Sequence, residues 1–85
     1  MSLDITKGLR YTAHARDQME DRLVNEVQVE QALIEYHTSY PAELLPNDPI
    51  GATVYVADID GRTLKVYVEN NSEPPLVRTV AWRDR

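Results

Sequence analysis

The stretch YTAHARDQMEDR, residues 11–22, carries His14, one of only two histidines in the chain. An imidazole exchanges protons near neutral pH, so His14 is a candidate general acid or base. Asp21 lies on the same helical face, but seven residues of rise separate the two by roughly 10 Å, too far for an orienting carboxylate. The alternative is structural, since Thr12 is a good helix N-cap and His14 then only caps the helix or fills a helix–sheet crevice.

Cationic side chains are the other groups with evident chemistry, because they bind phosphate and other anions. Five of the nine Lys and Arg residues fall in the last third of the chain, which predicts a locally basic sheet surface. The whole chain carries a formal charge of −5, which disfavours nucleic acid as a partner, since nucleic-acid binders normally carry basic excess. The five residues are Arg62, Lys65, Arg78, Arg83 and Arg85.

The sequence shows no pattern typical of a metal or cofactor site. The chain has no cysteine, and its two histidines, His14 and His37, fall in different predicted helices without a His-Glu-x-x-His type of spacing. We therefore assign no metal site and no cofactor. The lack of cysteine also excludes a disulfide-stapled scaffold and is typical of a protein of the reducing cytosol.

Length and composition predict one soluble domain. The 85 residues allow one compact core, so a single domain over residues 1–85 is expected. Hydrophobic residues make up 42% of the chain and charged residues 27%, a globular balance. No segment approaches the ~20 apolar residues of a membrane span, and the N-terminus lacks the order of a signal peptide. We expect a cytoplasmic protein that does not bind membranes.

Two helices are expected in the helical half, residues 12–37. The first runs from about Ala13 to Arg22 and has an apolar stripe at four-residue spacing. The second runs from about Glu26 to His37, because Asn25 and Gln28 form a capping-box pattern at its start.

The second helix is apolar on two sides. Val27 and Ile34 lie nearly opposite its main stripe at 100° per residue. The helix is therefore either wedged between the first helix and the sheet, or it offers its second stripe to a partner chain. The main stripe consists of Val29, Ala32, Leu33 and Tyr36.

The strand half, residues 52–83, follows a proline-rich connection over residues 38–51, in which a short turn at residues 43–45 is expected. Asp60-Gly61 is favoured in two-residue type I′ turns and predicts a hairpin that pairs Ile59 with Arg62. Alternation along the strands then assigns their faces. The expected core-face pairs are Ala57 with Leu64, Tyr55 with Val66 and Thr53 with Val68. The other, partly wet face pairs Asp58 with Thr63, Val56 with Lys65 and Val54 with Tyr67.

A third strand is expected from about Leu76 to Arg83. Its core-facing set is either Leu76, Val80 and Trp82, which bulk favours and which places Arg78 at a margin, or Val77, Thr79 and Ala81. Residues 5–11 add a short edge strand or an extended arm. The predicted fold class is α+β, with two N-terminal helices packed on a three- to four-stranded antiparallel sheet.

These motifs resemble the bacterial domain of unknown function 4258 over about residues 11–82. Members of that family typically show an H-A-x-x-R-M-x-x-R-G-I style first helix, a G-R-x-L-x-V-V-V hairpin and a closing V-x-T-V strand. Two features depart from the pattern: Asp17-Gln18 stands where a basic residue often precedes the Met, and Leu23-Val24 replaces Gly-Ile. The matching residues are Met19, Arg22, Gly61, Arg62 and Leu64.

The family is similar in layout to small bacterial toxins of the RelE, ParE and BrnT type. The resemblance therefore implies a RelE-like layout, a toxin-like and RNA-acting protein, active or decayed, and an antitoxin-like partner. RelE-like ribonucleases activate a ribose 2′-hydroxyl against the neighbouring phosphate, which calls for a proton-transfer group and cations. The residues that would serve are His14 for proton transfer, Arg62, Lys65 and Arg78 for the phosphate, and Tyr67 or Trp82 for stacking on a base.

The alternative function is a non-catalytic protein-interaction module that forms a homodimer. It would use the Val27 and Ile34 stripe or an exposed strand edge. In this interpretation Arg62 and Lys65 are solvated residues of the hairpin, and Trp82 belongs to the core or to an interface. The acidic charge favours the module, whereas the late basic residues favour the RNA-acting protein.

Overall fold

The computed structural model describes residues 3–83. Arg85, one of the five late basic residues, and both ends of the expected 1–85 domain lie outside them. The order of elements is that of an α+β protein. They are β1 (Arg10–Tyr11), α1 (Ala13–Asp21), α2 (Glu26–Glu35), β2 (Thr38–Pro41), β3 (Ala52–Ile59), β4 (Arg62–Glu69) and β5 (Leu76–Arg83).

The sheet has five strands in the order β1-β5-β4-β3-β2, and it is mixed because β1 pairs in parallel with β5. The prediction of a three- to four-stranded antiparallel sheet was therefore wrong. β2 forms inside the proline-rich connection, where Pro41 is tolerated because the strand lies at the edge of the sheet. β1 is only two residues long and pairs with a strand more than sixty residues away, so no local pattern predicts its direction.

Side-chain caps begin both helices, as the sequence predicts. The Thr12 hydroxyl accepts a hydrogen bond from the Ala15 N–H at 3.0 Å, and Asn25 and Gln28 form both bonds of a capping box. α2 ends at Glu35, two residues earlier than expected, because the chain turns into an extended conformation and the His37 N–H donates to the Val56 carbonyl of β3.

Both helices pack on one face of the sheet, which we call the core face. α1 lies along β5, and α2 lies over β3 and β4. The hairpin register is the predicted one at every pair from Ile59 and Arg62 to Thr53 and Val68. The core contains Ala15, Met19, Val24, Val29, Ala32, Leu33, Ala57, Ile59, Leu64, Val66, Val68, Val77 and Val80.

A β-bulge in β5 explains why neither predicted core-facing set was complete. Tyr67 pairs with Thr79, but the next residue of β4, Val68, pairs with Val77, so Arg78 is the extra residue. Val80 faces the core, as expected for the set of Leu76, Val80 and Trp82. On the other side of the bulge the alternation is reversed, and Val77 is buried in place of Leu76. The bulge leaves the side chains of Arg78 and Thr79 together on the face opposite the helices, which we call the outer face.

Residues 42–50 run over the outer face, and we call them the strap. Ala52, Val54 and Val56 of β3 are buried although they do not face the helices. The outer face is therefore wet only in part. No helix within residues 3–83 has the length and apolar character needed to cross a membrane.

Candidate functional site

The outer face and the strap together form a groove with a volume of about 510 Å³. Its floor is the surface of the sheet, and its wall is the end of β2 with the strap. We call it the outer-face groove. The floor residues are Ala52, Val54, Tyr67, Arg78 and Thr79, and the wall residues are Tyr40, Ala42, Glu43, Leu45 and Asp48.

Arg78 fastens the strap to the sheet. Its guanidinium binds Asp48 of the strap through two nitrogens and donates to the Glu69 carboxylate of β4 at 2.8 Å. All three side chains are about one quarter exposed. The hydrogen bonds from Arg78, and then the N–H of Gly51, hold the pKa of Asp48 below its usual value, while the same carboxylates raise the pKa of Arg78.

This ion cluster makes stability depend on pH in acid. Because the pKa of Asp48 is lower in the folded than in the unfolded chain, its contribution is complete well above pH ~4 and is lost as the pH falls through the folded pKa. We expect the difference in unfolding free energy between the native chain and Asp48→Asn to shrink from pH 7 to pH 3. Urea unfolding at a series of pH values measures it. Asp17→Asn, at an exposed position on α1, is the control, and its difference in unfolding free energy from the native chain should change less with pH. Equal changes for the two variants would contradict a stabilising role of Asp48 in the ion cluster.

Gly51 sets the path of the strap where it enters β3. Its φ is +78°, and a Cβ there would lie 2.9 Å from Leu44 Cδ2 and 3.1 Å from Asn70 Nδ2. Asn70 also accepts from the Thr53 hydroxyl at 2.8 Å and donates to the Ile50 carbonyl at 3.2 Å. A side chain at position 51 therefore disturbs the bonds that hold the strap.

We expect Gly51→Ala to lower the free energy of unfolding by about 2 kcal/mol, because the left-handed backbone costs about 1 kcal/mol and Asn70 must move. Gly61→Ala is the matched control, since its φ is +81° but nothing lies within 4 Å of a Cβ. Urea unfolding should show that Gly61→Ala lowers the free energy of unfolding by about half as much as Gly51→Ala does. Equal losses in the two variants would mean that contacts of the strap play no part.

The structure places His14 apart from the other predicted site residues. Its side chain is exposed on α1 and makes no hydrogen bond or ion pair with residues 3–83, so it neither caps the helix nor fills a crevice. The cap belongs to Thr12, whose hydroxyl also donates to the Arg78 carbonyl at 3.1 Å. That bond fixes the start of α1 beside the bulge, on the core face of the sheet.

Arg62, the first residue of β4, lies near the C-terminal end of α1, whereas His14 lies near the N-terminal end of that helix. Its guanidinium stands 4.1 Å from the centre of the Trp82 ring, and the Trp82 indole N–H donates to the Arg22 carbonyl at 2.8 Å. His14 and Arg22 are separated by about 12 Å along α1. Lys65 sits on the outer face between Val56 and Ala81.

The four predicted catalytic residues are therefore not brought together. The sheet lies between the side chains of His14 and Arg62, on the core face, and those of Lys65 and Arg78, on the outer face. Arg78 is in addition neutralised by two carboxylates, which an incoming phosphate would have to displace. Of the two aromatic residues, Tyr67 lines the groove and Trp82 packs against the end of α1.

Four cationic side chains lie near the Asp60-Gly61 turn, and we call them the hairpin-end cations. None of them forms a salt bridge with another residue of the described range 3–83. Asp21, Asp58 and Asp60 lie at the same end, so its charge is mixed. The hairpin-end cations are Arg22, Arg62, Lys65 and Arg83.

The second apolar stripe of α2 faces solvent. Val27 is 70% exposed and Ile34 is 59% exposed, which excludes the alternative that α2 is wedged between α1 and the sheet. Leu23, in the link before α2, is also exposed and has a φ of +55°, a conformation that is unfavourable for a branched side chain. On the helical wheel, Glu30 and Gln31 flank the stripe on either side.

Sequence reasoning missed the residues that build the groove wall. Tyr40, Leu45 and Asp48 all lie in a segment that the prolines mark only as a connection. One signal was available: the stretch YPAELLPNDPI contains far more large apolar residues than a solvated loop requires. Within residues 3–83, no group of three or more His, Asp and Glu side chains is placed to hold a metal ion.

Comparison with known proteins identifies a family for most of the chain. The family model described as "Domain of unknown function (DUF4258)" matches residues 11–82, which is most of the chain. No curated protein and no solved structure matches the chain significantly.

Proposed function

The chain belongs to the DUF4258 family, and from that premise we propose that it is a protein-interaction module that binds a segment of a partner protein in the outer-face groove. The observation that carries the proposal is the exposed apolar surface around this groove. Tyr40, Leu44, Leu45 and Ile50 are all exposed, and all lie in or beside the strap. Concave sites with an apolar lining and a few placed polar groups are the usual binding sites of soluble proteins.

The groove suits binding better than catalysis. Its one guanidinium, Arg78, is held by two carboxylates, and the histidine that would transfer protons lies on the other side of the sheet. The free edge of β2 is a weaker candidate for the partner, because Pro41 has no N–H to donate to an added strand.

A photo-crosslinking residue in place of Leu44 tests the proposal in living cells. We expect a discrete partner band that disappears when Leu45→Asn is added, because the amide makes the apolar wall polar without adding a charge. The control is the same crosslinker in place of Glu20, which is exposed on α1 across the sheet. Equal bands from both positions would contradict a groove-specific partner.

The hairpin-end cations support a second candidate function. In it the chain is a toxin-like, RNA-acting protein with the RelE, ParE or BrnT layout, active or decayed, and it has an antitoxin-like partner. Arg62 and Trp82 would contact RNA at this end, with Lys65 and Arg83 on the opposite face of the sheet. Because His14 and Arg78 lie elsewhere, binding without cleavage is the form that this candidate takes.

A ribonuclease assay on RNA and on ribosomes decides whether catalysis occurs. We expect no cleavage by the native chain, because the four predicted catalytic residues do not converge. His14→Ala serves as the control: cleavage by the native chain that this variant lacks would overturn the expectation.

The exposed stripe of α2 supports self-association as a further property of the module. A homodimer would bury Val27 and Ile34, and light scattering at high protein concentration tests it. A strict monomer would remove the dimer from the proposal. The cytoplasm is the location that we propose, on the ground that the chain contains no cysteine.

A further inference from the structure

We infer that the outer-face groove takes a lysine or arginine side chain from an extended segment of the partner, with an apolar residue beside it. The inference rests on the proposed function, because it names the chemistry of the segment that the groove binds. Three properties of the groove support it: its unbalanced negative charge, its aromatic and aliphatic lining, and its size.

The charges around the groove leave an excess of negative charge. Glu43 and Asp48 line it together with Arg78, and Glu69 shares the Arg78 guanidinium. Three carboxylates stand against one guanidinium, so two negative charges are unbalanced. Asp48 and Glu69 are already engaged, whereas Glu43 is exposed on the wall and has no ion pair within residues 3–83. Glu43 is therefore the carboxylate that is free to meet a cation.

The lining suits a long cationic side chain. Tyr40 and Tyr67 contribute two aromatic rings, which attract an ammonium or guanidinium group to their faces. Leu45 and Ala42 provide aliphatic surface for the methylene stem, in the way that lysine and arginine stems cover apolar surface elsewhere. Charge and lining thus select the same type of side chain.

The volume and the neighbouring residues indicate a segment rather than a single group. About 510 Å³ falls within the ~300–1,000 Å³ range of ligand pockets and exceeds the needs of one side chain. Leu44 and Ile50 extend the apolar surface beyond the groove, where an apolar residue next to the cation would pack. A basic segment of another protein fits the groove better than a second copy of the chain, which carries a net charge of −5.

A peptide selection on the full chain tests the inference. A phage library of random 12-residue peptides is selected on the immobilised native protein, and the enriched sequences are synthesised and titrated. We expect enrichment of lysine or arginine next to an apolar residue. Glu43→Lys should weaken binding of such a peptide about fivefold, since an exposed ion pair is lost. Glu20→Lys makes the same change of charge across the sheet and should weaken it less than twofold.

Leu45→Asn separates failure of the inference from failure of the proposed function, because it makes the apolar wall polar without adding a charge that would itself attract a cation. Peptides that lose binding in Leu45→Asn but carry no basic residue, or are indifferent to Glu43→Lys, would overturn the cationic preference and leave the groove as a binding site. Enrichment of acidic peptides that lose binding in Leu45→Asn would also overturn the cationic preference. If every selected peptide binds Leu45→Asn normally, or no peptide is selected, the groove is not the site and both proposals fall.

Discussion

Leu33→Ala lowers the free energy of unfolding by about 3 kcal/mol, the largest effect expected of any single truncation described for this protein. Leu33 lies on α2 with no exposed surface and packs in the core between the helix and β3 and β4. Its truncation removes buried methyl groups and leaves a cavity that the rigid sheet below cannot fill. Urea unfolding followed by circular dichroism measures the loss.

Ile34→Ala is the matched control, because it changes the next residue of the same helix. Ile34 is more than half exposed, so its truncation should change the free energy of unfolding by no more than about 0.5 kcal/mol. Equal losses at the two positions would show that α2 is rotated from the orientation described. A loss at Ile34 that grows with protein concentration would instead show that the stripe is buried between two copies of the chain.

Trp82→Ala should lower the free energy of unfolding by about 2 kcal/mol, which would mark Trp82 as an anchor of α1 rather than a free platform for an RNA base. The indole ring packs against the core and under Arg62, and its N–H binds the Arg22 carbonyl at the end of α1. All three contacts disappear together in the alanine variant. Thermal or urea unfolding followed by far-ultraviolet circular dichroism measures the change, since the variant has no tryptophan to report by fluorescence.

Trp82→Phe separates the contribution of ring packing from that of the indole hydrogen bond. Phenylalanine keeps an aromatic ring for the core and for Arg62 but cannot donate to the Arg22 carbonyl, so it should cost about 1 kcal/mol. If both variants are as stable as the native chain, Trp82 has no structural role. That result would strengthen the RNA-acting candidate, in which the ring is kept for a ligand.

The candidate catalytic residues were chosen from the sequence by the chemistry of their side chains. That chemistry does not determine whether the fold brings the side chains into one site. His14 and Arg78 are both brought to the beginning of β5, but α1 and the sheet keep their side chains on different faces. The groove was missed for the opposite reason. Its members, such as Tyr40 and Leu45, carry no catalytic chemistry, and they gain a role only because the strap folds over the outer face.

The sequence by itself determined the features that depend on near neighbours in the chain. The caps at Thr12 and Asn25 follow from side chains that reach a backbone N–H three residues on, and the Asp60-Gly61 turn sets the hairpin register pair by pair. The burial of one face of the hairpin follows in turn, because alternation carries that register to every strand residue.

Only the tertiary structure decided what depends on distant partners. The parallel pairing of β1 with β5, the bulge at Arg78 and the edge strand β2 each join segments between which no local spacing acts. The bulge turned Arg78 onto the outer face, where Asp48 and Glu69 could bind it and fasten the strap. The groove exists for that physical reason: an ion cluster assembled from three separate segments holds an apolar strap over a sheet that the helices cover only on its other face.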